Sequence, residues 1–202
     1  MDLETNAPDA SSEAVVHDGR RARGLENRKR IVKALIELIR EGQVAPTAED
    51  VSVRAKVGLR TVFRHFDDME TLYREINNEL QGTVESMVHM EFESDNWQER
   101  LLEGIRMRAR LYESITPFFR SAQVHRHQSA VIDANIRHGV GLERAILKKL
   151  LPKEIVADRP RFEALIMVLS PEAWVRLRQE QGLSFNAAIA AIQMVAKRLL
   201  PA

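Results

Sequence analysis

The segment TAEDVSVRAKVGLRTVFRHF, residues 47–66, predicts two short helices joined by a tight turn. Thr47 is a suitable N-cap for the first helix, because its side-chain oxygen can accept a hydrogen bond from a free backbone N–H. Three apolar residues follow it at helical spacing: Ala48, Val51 and Ala55. Lys56, Val57 and Gly58 interrupt this pattern, and glycine tolerates backbone conformations that other residues avoid. We therefore expect Gly58 to adopt such a conformation in the turn.

The second predicted helix, within LRTVFRHF at residues 59–66, has an apolar face and a polar face. Val62 and Phe66 are four residues apart and are expected to face inward. The outward face carries cations, a hydroxyl and an imidazole: Arg60, Thr61, Arg64 and His65. Such a helix after a tight turn is typical of helix-turn-helix proteins, which place it in the major groove of DNA. The alternative is an ordinary helical hairpin with a solvated charged face.

Amphipathic helices are predicted on both sides of this segment. Upstream, LENRKRIVKALIELIREG at residues 25–42 forms an apolar stripe and stops at Gly42. The central residues of that stripe are Ile31, Leu35 and Leu38. Downstream, DDMETLYREINNEL at residues 67–80 begins another helix directly after Phe66, and its apolar residues in register are Leu72, Ile76 and Leu80.

This arrangement closely resembles the DNA-binding region of the TetR family of one-component transcription regulators. The residues that fit the family pattern V-S-x-x-T-(L/V)-(Y/F)-x-(H/Y)-F-x-x-K-E-x-L are Val57, Thr61, Phe63, His65, Phe66, Glu70 and Leu72. Gly58 stands where a serine is usual, which weakens the cap of the second helix, and Met69 replaces a common phosphate-contacting lysine. The resemblance implies an all-α protein with a three-helix DNA-binding head and a helical body that binds an effector and dimerises.

The composition agrees with an all-α globular protein. The 202 residues are 45% hydrophobic and 29% charged, and no strand-like alternation persists. The absence of cysteine excludes disulfides and thiolate chemistry. No segment approaches the roughly 20 apolar residues that span a bilayer, and the first residues lack the apolar core of a signal peptide. We therefore expect a cytoplasmic protein with no membrane partner.

Charge is distributed unevenly along the chain. Residues 18–66 contain 12 Lys and Arg against six Asp and Glu, whereas the rest contains 18 against 23. A basic region that coincides with the predicted helix-turn-helix favours a surface that contacts phosphates. Ordinary surface variation is the alternative explanation.

We expect three regions: a disordered N-terminal tail at 1–22 with a basic end, a helix-turn-helix domain at 23–68, and an effector-binding and dimerisation domain at 69–202. Within the last region, Pro117 is expected to end or restart a helix. Gly139 and Gly141 are expected to mark a bend or a close helix crossing.

The end of the chain predicts two further helical segments separated at Gly182. Ser170 and Pro171 suggest a helix restart within the first, and Ser184 is a suitable cap for the second. The last helix is apolar on more than one face, which is compatible with a monomer core. The resemblance instead implies a homodimer in which the last two long helices pair with those of a second subunit.

No catalytic or metal site is predicted. The chain has no Gly-rich phosphate loop, no G-x-S-x-G and no H-E-x-x-H motif. His125 and His127 are two residues apart and would point to opposite faces of a helix. We expect no enzyme activity, no cofactor and no metal.

The predicted DNA contacts combine the second helix, its flanks and the basic end of the tail: Thr47, Arg54, Gly58, Leu59, Arg60, Thr61, Phe63, Arg64, His65, Arg20, Arg21 and Arg23. The predicted effector pocket consists of Met87, Met107, Tyr112, Phe119, His125 and Ile136. Arg108 and His138 are further candidates for its polar contacts. The leading hypothesis is a dimeric repressor that binds a palindromic double-stranded DNA operator and is released by a small apolar effector. The alternative is a DNA-binding regulator without an effector, controlled by a protein partner or constitutive.

Overall fold

The computed structural model describes residues 10–76 and 91–200, and this part of the chain consists of helices and loops without strands. The helices are α1 (Ala10–Arg40), α2 (Ala48–Ala55), α3 (Leu59–His65), α4 (69–76), α5 (Trp97–His125), α6 (Ala130–Leu150), α7 (Lys153–Ala157), α8 (Arg159–Val168), α9 (Pro171–Val175) and α10 (Phe185–Leu199). A π-helical turn, Arg176–Glu180, directly follows α9. The predicted all-α class is confirmed.

The chain forms two compact units that divide between Leu72 and Tyr73, whereas the sequence places the boundary at residue 68. The first unit contains α1 to α3 and the start of α4. The second contains the remainder of α4 and α5 to α10.

Helix α1 begins earlier than expected. It starts at Ala10, so residues 10–22 are helical, and the prediction of a disordered tail over residues 1–22 is wrong for this part. Residues 10–23 contain three Ala and three Arg, which favour helix, and they continue directly into the amphipathic sequence of the helix. Residues 1–9 lie outside the described part of the chain.

The core of the first unit follows the predicted helical spacing. Buried residues from every helix meet there: Ile31, Leu35, Ile39, Val51, Ala55, Val62, Phe66 and Leu72. Thr47 forms a capping box with Asp50, in which Thr47 Oγ1 accepts from the Asp50 N–H at 3.2 Å and the Asp50 carboxylate accepts from the Thr47 N–H at 2.9 Å. This reciprocal pair fixes the start of α2.

The special backbone conformation of the turn lies at Lys56 and not at Gly58. Lys56 ends α2 with φ 54° and ψ 47°, whereas Gly58 is extended with φ −67° and ψ 147°. A left-handed residue directly after a helix lets its N–H bond back to the last turn, and Lys56 donates to the Ser52 and Val53 carbonyls in this way. The position that needs the left-handed conformation is therefore fixed by the end of α2.

Two arginines of α1 bind the carboxyl ends of the next two helices. Arg30 Nη2 donates to the carbonyl of Lys56 at 3.0 Å and also to that of Ala55. Arg28 Nη1 donates to the carbonyl of His65 at 3.0 Å, and its guanidinium lies 4.3 Å from the centroid of the Phe66 ring. The last carbonyls of a helix lack intrahelical donors and carry partial negative charge. A guanidinium supplies the missing hydrogen bonds and stabilises this negative charge.

The core of the second unit lies between α5 and the C-terminal helices. Its fully or nearly fully buried residues come from α5 to α10 and include Leu101, Ile105, Leu147, Ile155, Leu165, Trp174, Ala188 and Ala196. Trp174 Nε1 donates to the Glu113 carboxylate at 3.1 Å, and its ring meets the ring of Phe185 edge to face. These contacts connect α9 to α5 on one side and to α10 on the other.

The helix boundaries near the end of the chain agree with the sequence. Ser170 caps α9, with Pro171 as its first residue, and Ser184 caps α10. Gly182 has φ 68° in the intervening loop.

Two expectations for the second unit are wrong. Pro117 lies inside α5, which continues on both sides of it, because packing of the flanking turns outweighs one lost backbone hydrogen bond. Gly139 and Gly141 do not mark a close crossing within the described part of the chain, since a Cβ built at either position has nothing within 4 Å there. The bend that was the alternative stays a prediction.

The contacts of Arg30 predict a specific loss of stability. Arg30→Met keeps the apolar stem but leaves the carbonyls of Ala55 and Lys56 without their charged donor, which should lower the free energy of unfolding by about 1.5 kcal/mol. Urea unfolding of the full chain, followed by circular dichroism, measures this change. Lys29→Met is the matched control, because the neighbouring Lys29 is exposed. Equal destabilisation by the two substitutions would contradict the proposed role of Arg30.

Candidate nucleic-acid interface and cavity

Helix α3 presents its polar face to solvent. Arg60, Phe63 and Arg64 are exposed, and Phe63 retains 46% of its accessible surface although it is aromatic. Leu59 and Thr61 are partly exposed, while Val62 is buried and anchors the helix. The exposed set combines two guanidinium groups with an aromatic ring, which are groups able to contact phosphates and base edges.

His65 does not lie on this exposed face. Its ring packs near α1, where a Cβ built on Gly24 would lie 3.9 Å from His65 Cε1. The Nε2 atom is buried and has no hydrogen-bond partner among the described residues. Burial, with the nearby charges of Arg64 and Arg28, lowers the pKa of His65, so the neutral ring is favoured. The prediction that His65 faces outward is therefore wrong, because the ring fills space between α1 and the end of α3.

Arg54, another predicted phosphate contact, is held by carboxylates of α1 and of the loop after it. Its guanidinium donates to both oxygens of Glu41, at 2.7 and 2.6 Å, and lies 3.7 Å from a Glu37 oxygen. The hydrogen bond from Arg54 lowers the pKa of Glu41. This bidentate pair occupies the geometry that Arg54 would use for a phosphate. Arg54 thus links α2 to the end of α1.

The other predicted DNA contacts differ in their accessibility. Thr47 is exposed beside the start of α2, and its hydroxyl takes part in the capping box. Arg21 and Arg23 are exposed on α1, within a helix and not on a flexible arm. The side chain of Arg20 lies outside the described residues.

Gly58 serves as the N-cap of α3 without a side chain to bond the free N–H groups. A Cβ at this position would be 4.0 Å from its nearest neighbour, Thr61 Oγ1. The backbone angles also suit any residue, so a serine fits at this position.

The second unit contains a cavity of about 160 Å³ between α5 and α6, closed at one side by the start of α9. Its wall is largely apolar and aromatic: Leu111, Tyr112, Ile115, Phe118, Phe119, Ala122, Ile136, Gly139, Val140, Leu142, Ile146 and Pro171. The polar groups in the wall are Arg108, Asn135, His138, Glu143 and Glu172.

The predicted pocket residues divide into three groups. Tyr112, Phe119 and Ile136 lie in the cavity wall, together with the polar candidates Arg108 and His138. Met107 and His125 do not line it, and Met87 lies outside the described residues. His125 instead packs its ring 4.1 Å from the ring of Tyr73, and burial lowers its pKa. Selection by residue type alone therefore misplaces part of the pocket.

Several cavity residues were missed by sequence reasoning, although a signal for them exists. On α5 the missed residues Ile115 and Ala122 recur at spacings of three and four with the predicted Arg108, Tyr112 and Phe119. A similar register on α6 includes Asn135, Gly139, Leu142, Glu143 and Ile146. Continuing the α5 register through Pro117 would have identified the wall.

Tyr112 joins three elements at the edge of the cavity. Its Oη lies 2.5 Å from Glu143 Oε1 on α6 and 3.0 Å from the Leu169 carbonyl after α8. Burial raises the pKa of Glu143 and raises that of Tyr112 well above its usual range. Burial thus disfavours the charged form of both groups.

The described residues form neither a metal site nor a membrane-spanning helix. Among these residues, no group of three or more His, Asp or Glu side chains is arranged to hold a metal ion. None of the helices described combines the length and hydropathy required to cross a membrane.

This chain is similar in structure to several solved proteins. No protein-family model and no curated sequence matches the chain. A transcriptional regulator from Rhodococcus sp. Rha1 superposes with a TM-score of 0.66 at 15% identity, covering 86% of this chain and 95% of that one. A Mesorhizobium loti protein assigned to the TetR family gives 0.61 at 16% identity, covering 88% and 96%. The fold is that of the TetR-family transcriptional regulators. The multidrug binding protein EbrR, in complex with imidazole, also has this fold, with a TM-score of 0.58 at 16% identity over 87% of this chain and 95% of that one.

The uncapped start of α3 predicts that Gly58→Ser stabilises the first unit. The serine hydroxyl would accept from the N–H of Arg60 or Thr61, and the gain over glycine at an N-cap is a few tenths of a kcal/mol, roughly 0.3 to 0.5. Chemical denaturation of the full chain measures the difference. Gly58→Ala is the matched control, because it adds the Cβ without the acceptor and should not stabilise α3. A serine variant no more stable than the alanine variant would exclude a capping contribution.

Proposed function

We propose that this protein is a DNA-binding transcription regulator, with α3 as the helix that reads the major groove. The observation that carries the proposal is the exposed face of α3, on which Arg60, Phe63 and Arg64 project from a helix whose carboxyl end is held by Arg28. The shared fold with transcriptional regulators supports the same conclusion. An ordinary solvated hairpin would not require an exposed aromatic ring between two arginines. The protein acts by binding and not as an enzyme.

Each exposed residue has a role that follows from its chemistry. Arg60, near the start of α3, hydrogen-bonds a guanine edge, and the methyl groups of Leu59 and Thr61 contact a thymine methyl. Arg64 and Thr47 contact phosphates, which set the register without reading sequence. The guanidinium groups of Arg21 and Arg23, with that of Arg20, add affinity along the phosphate backbone or in the adjacent minor groove.

His65 and Arg54 contribute indirectly. The neutral His65 ring and the Arg54–Glu41 pair fix α3 and α2 against α1, so they position the reading surface without contacting phosphate. Gly58 is the N-cap of α3 and has no side chain, so a DNA phosphate can approach the N-terminus of the helix.

We propose that α8 and α10 pack against the same two helices of a second copy of this chain. Met167 on α8 is 70% exposed and Met194 on α10 is 61% exposed. Ala187 and Ala190 are also exposed on α10, so small residues surround the methionine. Such a surface allows close approach of a symmetry-related helix pair and forms a four-helix interface. A two-fold dimer then reads a palindromic operator with half-sites about one helical turn apart, or a multiple of it.

The cavity is the proposed site of a small apolar effector, and the regulator is proposed to be a repressor. Its largely apolar wall with a few polar groups is typical of ligand pockets. The structural similarity to a multidrug binding protein supports this use of the cavity. An effector releases the operator by binding the DNA-incompetent arrangement more tightly than the competent one. A regulator without an effector remains the alternative, and it would have no use for the cavity.

Replacing Arg60 tests the reading face. An operator is first selected from random duplex DNA with the wild-type protein, and Arg60→Ala should then lower its affinity by roughly 1 to 3 kcal/mol and relax preference at one base pair per half-site. Fluorescence anisotropy at fixed salt measures the affinity, and repeated selection measures the preference. Arg106→Ala, an exposed arginine of α5, is the matched control for the lost charge. Unchanged affinity and base preference in Arg60→Ala would show that α3 is placed differently.

Replacing Met194 tests the dimer. Met194→Glu places a charge in the proposed interface and should convert the dimer to a monomer at micromolar concentration, because burying an unpaired carboxylate is costly. Light scattering during size-exclusion chromatography reports the mass. Val124→Glu is the control, since Val124 is also an exposed apolar residue of the second unit. A monomeric wild type, or an unaltered Met194→Glu dimer, would reject this interface.

A further inference from the structure

Arg108 is a buried arginine in the wall of the cavity, and its guanidinium has no hydrogen bond or ion pair among the described residues. It is 5% exposed, and it lines both the main cavity and a small adjoining space of about 10 Å³. Within residues 10–76 and 91–200, no carboxylate or carbonyl is in hydrogen-bond or ion-pair contact with its guanidinium. A buried charge without such a contact is destabilising, and an anionic ligand in the cavity would supply the contact.

The nearest acid in the wall does not serve as that partner. Glu143 interacts with Arg108 only through space, and its Oε1 contacts the Tyr112 hydroxyl at 2.5 Å. Tyr112 Oη also lies 3.0 Å from the Leu169 carbonyl. A phenol has one proton, so both contacts are hydrogen bonds when Glu143 is protonated and donates to Tyr112, which donates to Leu169. Burial raises the pKa of Glu143 by more than the Tyr112 hydroxyl and the Arg108 charge lower it, which shifts the carboxyl toward this state.

The remaining polar groups also favour an anion in the cavity. Asn135 Nδ2 is a buried donor with no acceptor among the described residues, and Asn135 lines the same wall. Glu172 and His138 are exposed, and therefore more hydrated than Arg108. With Glu143 protonated, the buried part of the cavity offers one positive charge and an unused amide donor.

The size and lining of the cavity limit the apolar part of a ligand. Phe118, Phe119, Ile115 and Ile136 supply aromatic and branched surfaces around a volume of about 160 Å³. An engineered cavity of roughly 150 Å³ with similar walls binds benzene. The apolar part is therefore about the size of one substituted ring or a short alkyl chain.

We infer that the cavity binds a small aromatic or alkyl carboxylate, with the carboxylate on the Arg108 guanidinium and the apolar group against the phenylalanines. The inference rests on the proposed effector role of the cavity and names the chemical class of its ligand. Arg108 is the residue that separates an acid from an equally apolar neutral compound, because a guanidinium offers two parallel N–H groups to a carboxylate.

Three probes with the same carbon skeleton test the ligand class: 3-phenylpropanoate, 3-phenylpropan-1-ol and 3-phenylpropylamine. Isothermal titration of the full-length protein should give an affinity for the acid at least about tenfold above that for the alcohol, with the amine weakest. Arg108→Gln should bring the acid and the alcohol to equal affinity. Glu143→Gln should retain the preference for the acid, since the proposed state of Glu143 is already uncharged. An amine that binds most tightly, or a preference for the acid that persists in Arg108→Gln, would overturn the inference.

A matched pair of glycine variants locates the site without altering any charge. Gly139 lines the cavity, whereas Gly141 is an exposed residue of the same helix, and neither Cβ would meet a neighbour within 4 Å. Gly139→Leu should weaken binding of the acid at least about tenfold by filling the cavity, and Gly141→Leu should leave it unchanged. Equal effects of the two variants, or no binding of any probe to the wild type, would reject the site.

Operator binding, measured separately, distinguishes failure of the inference from failure of the proposed function. Preferred binding of the acid without any change in DNA affinity would support the ligand class and reject the effector role. Operator binding that responds to the alcohol as strongly as to the acid would support the effector role and reject the ligand class.

Discussion

The hydrogen bonds from Arg28 and Arg30 to the ends of α3 and α2 are the constraint on which the proposed DNA-binding surface depends. Helices α2 and α3 have eight and seven residues, and isolated helices shorter than about 12 residues are marginal in water. Their stability must therefore come from tertiary contacts. The two arginines are two residues apart on α1 and point in different directions, so one helix can hold the ends of two others.

These internal contacts determine which cations remain available for the proposed contacts with DNA. Arg28 and Arg30 bind helix ends, and Arg54 binds Glu41, so three guanidinium groups of the basic region serve the fold. A count of positive charge in the sequence cannot separate these arginines from Arg60 and Arg64, because all five have the same chemistry. The arginines that serve the fold differ from Arg60 and Arg64 in their partners and in their exposure, and both properties are determined by packing.

Features that depend on residues close in the chain were easier to predict than features that depend on residues remote in sequence. The capping box of Thr47 and the inward positions of Val62 and Phe66 were predictable, because they depend on residues three or four apart in the chain. The left-handed residue at Lys56 was not, since residue preference favours Gly58 and the end of α2 determines the position. The burial of His65 was also missed, because it depends on Gly24 of α1, which is remote in sequence.

The continuity of α5 through Pro117 is what builds the candidate ligand site. Arg108, Tyr112 and Ile115 precede the proline, and Phe118, Phe119 and Ala122 follow it, yet all six line one cavity. A helix broken at Pro117, as its sequence suggests, would separate the buried cation from the aromatic surface. Proline removes the backbone donor to the Glu113 carbonyl, but contacts on both sides hold the helix: the Thr116 hydroxyl donates to the Tyr112 carbonyl at 2.6 Å, and the Glu113 carboxylate binds Trp174 and Arg178. Tertiary anchoring at Glu113 thus keeps charge and apolar surface on one face, and a ligand with a carboxylate at one end and a ring at the other matches that face.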